Sequence, residues 1–381
     1  MHIGGESWSP SHVAQENIST ALCLSSQRKR ENIIQKQIKS SCKAPKISQA
    51  SLISTPNTIN SIQNIFNMED PKFANFNVTT TYYKIVNNQE IPLYVIIPKG
   101  VHTGKRPIIV HFHGGYLIAG HALYPDWTAQ WSLDYATLHS AIRISANYRL
   151  LPESKGLDIL SDVRDLFTWI ENDLPAYLKR IGSDITPDYE RVATYGESAG
   201  GYLAIQSGLM RSDLVKAVIA AYPMTYLDRP WYSVASNGKS PFGAPQIPRE
   251  PLDQHIASME SGKIATGSFP PDRMQLALPI LQNGLFPQIM GTDESLYPAK
   301  VVEKMKEGEK APFLFVLHGT EDTAVPCEHS VDFVNVWEDK FGRGSVIGKF
   351  ERGDHGHDGT ATLETPWLKD GLVDVSKVWI R

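Results

Sequence analysis

The chain has 381 residues, 41% of them hydrophobic, and a formal charge of -4 at pH 7. That length and apolar content are enough for a large buried core, and the near-neutral balance gives no reason to expect nucleic acid or an anionic membrane surface as a partner. No run reaches the length of a membrane span, and with Cys23 and Cys42 near the start and only Cys327 beyond them, structural disulfides are not expected.

Residues 1-67 are rich in Ser, Gln, Asn and Ile without a sustained period. They carry seven basic residues (Arg28, Lys29, Arg30, Lys36, Lys39, Lys43, Lys46) against three acidic ones (Glu6, Glu16, Glu31). This reads as a disordered, mildly basic leader, with a true start at Met68 as the alternative. There is no secretory apolar core, so a cytoplasmic location is expected; organelle targeting by this Ser-rich basic leader is the alternative, weakened by Glu6 and by the lack of an arginine-spaced amphipathic start.

Residues 68-381 are expected to form one catalytic domain in which strands and helices alternate over a mostly parallel sheet. A hairpin spans about Thr80 to Ile97, turning at Asn87-Asn88. Arg106 to Phe112 is a strand-like run entering His113-Gly114-Gly115-Tyr116, where a glycine pair lets backbone N-H groups approach a substrate oxygen. Ala141 to Ala146 is a further strand. It leads into Asn147-Tyr148-Arg149-Leu150-Leu151-Pro152-Glu153, whose Arg149 and Glu153 are expected to brace loops, and then into a helix over Asp158 to Ile170 with apolar residues at 159, 163, 166, 167 and 170.

Arg191 to Tyr195 is a short β-prone run, and Gly200 to Met210 reads as a helix. Between them lies Gly196-Glu197-Ser198-Ala199-Gly200, a G-x-S-x-G turn that lifts a serine hydroxyl clear of its own backbone. The glycines on either side remove Cβ atoms that would collide, and the helix N-terminus offers free N-H groups to an anion beside Ser198. After the strand Lys216 to Ala221, about 90 residues pass before Phe313 to Leu317, far more than a strand-helix loop needs. An inserted cap over about 224-311 is the natural reading. Its Tyr226, Trp231, Tyr232, Phe242, Met259, Met274, Leu281, Phe286 and Met290 either line a hydrophobic pocket or hold the cap together.

The apolar run Phe313 to Leu317 ends in His318-Gly319-Thr320-Glu321-Asp322, and a last strand, Val346 to Phe350, leads to Gly353-Asp354-His355-Gly356-His357. A serine hydroxyl is a weak nucleophile near neutral pH. It needs an imidazole to take its proton and a carboxylate to orient that imidazole. Ser198, Asp322 and His355 occur in nucleophile, acid, base order, separated by 124 and then 33 positions. Glu321 and Asp354 are the rival acids and His357 the rival base. His111 with His113, and His355 with His357, also have the alternate spacing of metal ligands, but no cysteine or carboxylate set accompanies them, and no metal is expected. The N-H groups of Gly114, Gly115 and Ala199 are the candidate oxyanion donors.

Taken together, His113-Gly114-Gly115, Asn147 to Glu153, Gly196 to Gly201 and the acid and base segments resemble the hormone-sensitive lipase-like branch of the α/β hydrolases, over most of residues 68-381. The resemblance implies an eight-stranded sheet with a cap and a cofactor-free serine esterase or lipase. In it Ser198, Asp322 and His355 would be catalytic, and Gly114, Gly115 and Ala199 would form the oxyanion hole. It also makes a place in fungal small-molecule biosynthesis plausible. One departure stands out, Tyr116 where the family usually has a third glycine, which leaves open which two loop amides face the substrate. The expected reaction is cleavage of a small or medium hydrophobic ester through an acyl-enzyme, without cofactor. Thioester cleavage, acyl transfer, dehydration and a non-catalytic ligand-binding role are the alternatives, and a homodimer is compatible with the sequence.

Overall fold

The computed structural model describes residues 70-381; the leader expected over 1-67, and the start at Met68, lie outside the described residues. Eight strands form one sheet in the order β1-β2-β4-β3-β5-β6-β7-β8. They are β1 (Phe76–Val86), β2 (Gln89–Pro98), β3 (Thr103–Phe112), β4 (Ile142–Ala146), β5 (Asp184–Glu197), β6 (Val215–Ala221), β7 (Phe313–Gly319) and β8 (Val346–Glu351). The first two pair antiparallel, as does β2 with β4, and the remaining neighbours are parallel. The hairpin turns at Asn87 and Asn88, whose φ values of 49° and 59° are those a two-residue turn between twisted strands requires. β5 starts well before the β-prone core of its sequence, because Asp184 to Pro187 pair with the first half of β3.

The central strands are apolar on both faces because both faces are covered. Residues of one parity, among them Ile109, Tyr195, Ile219 and Phe315, share a core cluster with the helices Gln130–Leu138 and Pro366–Trp379. Gly371 of the latter lies so close that a Cβ there would sit 2.2 Å from the Phe315 ring. Residues of the other parity meet the helix Ala199–Met210. Thr194 Oγ1 donates to the Ala204 carbonyl at 3.1 Å, and a Cβ on Gly208 would come within 2.6 Å of Val218. Each fully buried Val, Ile, Leu or Phe in such a core is worth roughly 1.5–3 kcal/mol.

Register sets where chemistry can occur. Ala146, Phe112, Gly196, Ala220, Val316 and Gly348 form one row across six strands, and the loops carrying the candidate residues all emerge just beyond its carboxyl side. Ligands of open parallel sheets bind at that edge. Between β6 and β7 the inserted segment contributes the helices Pro230–Ser233, Glu250–Ser258, Met274–Gln282, Phe286–Met290 and Pro298–Lys304. Among the described residues, no helix is long and apolar enough to cross a membrane.

Candidate active site

Ser198 stands between the end of β5 and the helix Ala199–Met210, with φ 58° and ψ -117°. A side chain in such a region costs roughly 1–3 kcal/mol and persists only when its surroundings over-determine it. They do so here: the Ser198 amide donates to the Ala221 carbonyl at 2.8 Å, and its own carbonyl accepts from Tyr202 at 3.2 Å and Met224 at 3.3 Å. The flanking glycines are compulsory. A Cβ on Gly196 would lie 2.1 Å from the Gly200 carbonyl oxygen, and one on Gly200 would lie 2.0 Å from that of Phe112.

Across the strand-end row, His355 Nδ1 lies 2.7 Å from Asp322 Oδ2. The carboxylate is fully buried, and its other oxygen accepts the amides of Ala324 and Val325 at 2.8 Å each. Burial alone would raise its pKa, but the facing His355 and His318 imidazoles outweigh it and hold the group well below the usual carboxylate range. The rival acids are engaged elsewhere. Glu321 faces Arg352 at 2.9 Å, and Asp354 accepts from the backbone of His355 and from Thr323, both at 2.7 Å. His357 stacks on Trp367 with ring centroids 5.3 Å apart, and its nitrogens are buried without hydrogen-bond partners. Among the described residues the Ser198 hydroxyl makes no hydrogen bond. Tyr222, which follows the Ala221 whose carbonyl accepts the Ser198 amide, packs its ring 4.4 Å from that of His355.

The glycine loop after β3 is tied from below. The Gly114 amide donates to Glu197 Oε1 at 3.3 Å, while Glu197 Oε2 lies 3.1 Å from His111 Nε2 and His111 Nδ1 lies 2.9 Å from Ser145 Oγ. Burial pushes the Glu197 carboxyl up to about 8 against the opposing Arg143 charge, and burial drives the His111 imidazole well below its ordinary value. The amide of Gly115 makes no hydrogen bond among the described residues, and Ala199, first in its helix, has no partner for its N-H within the helix.

Tyr116 has φ 58°, a conformation glycine adopts freely and other residues at a cost of roughly 1–2 kcal/mol. Its ring is buried and its hydroxyl donates to the Ala324 carbonyl at 2.9 Å. The chain thus keeps a backbone suited to glycine and anchors the tyrosine through its ring and hydroxyl.

Of the side chains of the inserted segment, Tyr232, Met274, Leu281, Phe286 and Met290 are buried, whereas Met259 is exposed. Phe242 reaches the site, its ring 5.3 Å edge-on from His355 and 6.3 Å from Tyr116. Trp231 Nε1 donates to the Ala324 carbonyl at 3.1 Å. The buried Lys239 ammonium caps the carbonyls of Pro230, Val234 and Leu281. Glu153 joins the segment to the sheet domain by accepting from Arg273 at 2.6 Å and meeting His255 at 2.8 Å, while Arg149 instead braces Asp158 and Asp162 of the helix Gly156–Asn172.

No group of three or more metal-ligating side chains occurs among the described residues; both ring nitrogens of His111 meet protein partners, whereas His113 Nδ1 lies 2.8 Å from the Gly114 carbonyl and its buried Nε2 has no hydrogen-bond partner. Sequence reasoning assigned no role to His318 or Glu197. The available signals were a histidine closing an otherwise apolar buried strand and an acid inside the serine turn.

A family model described as alpha/beta hydrolase fold matches residues 109–258. The chain has the α/β hydrolase fold, with its eight-stranded, mostly parallel sheet. It is carboxylesterase-like: a protein of Phoma sp. named as a probable carboxylesterase, M8, is 28% identical over 317 residues, covering 81% of this chain and 98% of that protein. The non-reducing polyketide synthase Preu6 of Preussia isomera is 25% identical over 296 residues, which cover 70% of this chain and 13% of the synthase. Among solved structures, a fungal esterase of Rhizomucor miehei superposes with a TM-score of 0.53 at 16% identity, covering 87% of this chain and 94% of that one.

Proposed function

We propose that the chain is a serine esterase that cleaves a carboxylic ester through an acyl-enzyme on Ser198. Two observations support this reading: the 2.7 Å contact between His355 Nδ1 and the buried Asp322 Oδ2, and the strained strand-to-helix turn that carries Ser198. A carboxylate only accepts, so Nδ1 carries the hydrogen and Nε2 keeps a lone pair for the Ser198 proton. As Ser198 Oγ attacks the ester carbonyl, His355 takes that proton and passes it to the leaving alcohol. Water, deprotonated by the same imidazole, then releases the acid and restores the serine.

The negative oxygen of each tetrahedral intermediate is assigned to the amides of Gly115 and Ala199. The Gly114 amide serves the loop through Glu197, and one lost oxyanion donor costs roughly 3–4 kcal/mol of barrier. The ester proposed is one of small or medium size; the name of M8 as a probable carboxylesterase supports ester cleavage, and the alignment with a polyketide synthase supports a biosynthetic setting.

The test compares the wild-type chain with Ser198→Ala, measuring labelling by a fluorophosphonate and turnover of p-nitrophenyl esters of graded acyl length. Both should vanish in the variant. Equal turnover by the two proteins would remove Ser198 from the mechanism.

A further inference from the structure

We propose that His318 is a positioning residue of the esterase reaction inferred above, holding the Asp322 carboxylate in line with His355 by sharing Asp322 Oδ2 with it. His318 lies next to last in β7 and is fully buried, with its ring fixed at both ends. Nε2 lies 3.0 Å from Asp322 Oδ2 and 3.0 Å from the Val325 carbonyl, and both partners only accept, so Nε2 carries a hydrogen. Nδ1 lies 2.7 Å from Ser330 Oγ, a hydroxyl that serves whichever role the ring requires.

Asp322 therefore accepts four hydrogen bonds: two backbone amides on Oδ1, and two imidazoles on Oδ2. Without His318, Oδ2 would rest on His355 alone, the ring whose proton inventory changes in every turnover. Burying an imidazole at a strand end is costly unless it is bonded. Each bond this ring makes goes to the Asp322 loop or to the helix Cys327–Phe341 that follows it. The Nε2-H also draws on the carboxylate's charge, which otherwise concentrates on His355 and favours its protonated form.

The titratable groups facing this assembly stay constant across the variants. Tyr222 lies 4.4 Å from His355 and 6.4 Å from His318, ring to ring. His357 and His329 lie within electrostatic reach of the His318 ring, while Tyr116, Tyr232 and Cys327 feel the charge of Asp322. Asp354 accepts the His355 amide at 2.7 Å.

The experiment records kcat and KM for p-nitrophenyl butyrate against pH, together with fluorophosphonate labelling, for the full chain and for His318→Phe, His318→Gln and Ser330→Ala. In His318→Phe, kcat should fall roughly tenfold with KM little changed, and the acid limb of kcat/KM should move up by about half a pH unit or more. His318→Gln, which keeps a donor able to reach Oδ2, should recover much of both. Ser330→Ala should move the limb the same way by less. A kcat loss with an unmoved or lowered limb reduces His318 to packing and overturns the proposal, as does wild-type behaviour in His318→Phe. If His318→Phe does not fold, the limb in Ser330→Ala decides in the same way. A wild-type chain that resists labelling defeats the serine reading itself, whereas labelling with an unmoved limb defeats only the role of His318.

Discussion

Glu197 and Gly114 join the serine turn to the glycine loop: the carboxyl group next to Ser198 accepts the amide at the head of that loop at 3.3 Å. A single buried acid thus sets the distance between the nucleophile turn and the loop assigned to the oxyanion.

This acid makes stability depend on pH. Burial raises the Glu197 pKa from 4.5 to about 8, so between those values the unfolded chain has released a proton that the folded chain still holds. Its contribution is present in full below 4.5 and is lost as pH rises through 8. Glu197→Gln should flatten the decline of Tm with pH across this window, as followed by thermal unfolding. Glu197→Ala, which leaves the Gly114 amide unpaired, should lower kcat/KM by roughly tenfold or more. A Tm-pH curve unchanged in Glu197→Gln would show that the carboxyl is not held protonated.

Tyr116→Phe removes the hydroxyl that reaches Ala324 but keeps the ring and the φ of 58°. The expected loss is about 1 kcal/mol in chemical denaturation, with kcat lowered because Ala324 also donates to Asp322. Unchanged denaturation would mean that the bond adds nothing net.

Histidine 357 offers a sharper contrast. Its nitrogens lack partners and its ring stacks on Trp367, so His357→Phe should keep activity within about twofold and match or exceed wild-type stability. His355→Phe should abolish turnover. The reverse outcome in steady-state assays would exchange the two roles.

Phe242, edge-on to His355, forms a wall of the site. Phe242→Ala should raise kcat/KM for long acyl chains relative to short ones by roughly tenfold, the scale of one or two methylene groups in an apolar pocket. A ratio unchanged across a p-nitrophenyl ester series would place the acyl group elsewhere.

Periodicity made the sheet and its crossover helices legible. Runs such as Phe313 to Leu317 are apolar throughout because both faces are covered, and the pattern at 159, 163, 166, 167 and 170 follows the buried face of Gly156–Asn172. The serine turn was legible because the glycines it needs are dictated by backbone collisions at 2.0 and 2.1 Å. Side-chain bonding across long separations was not. Nothing in the order of residues announces that Glu197 meets Gly114 or that Arg149 turns to Asp162 while Glu153 reaches Arg273. The role of Tyr116 was hidden too, since its φ and its reach to Ala324 exist only after β3 and β7 share a sheet.

The peptide unit at Ala324 is a junction of three distant stretches: its carbonyl accepts from Tyr116 and from Trp231 of the inserted segment, and its amide serves Asp322. Engineers who graft a foreign segment over about 224-311 to change selectivity would remove one of the two donors to that carbonyl. In such chimeras selectivity and speed would be inherited together, and a graft that carries no indole at the Trp231 position would slow the enzyme before any new substrate had been tried.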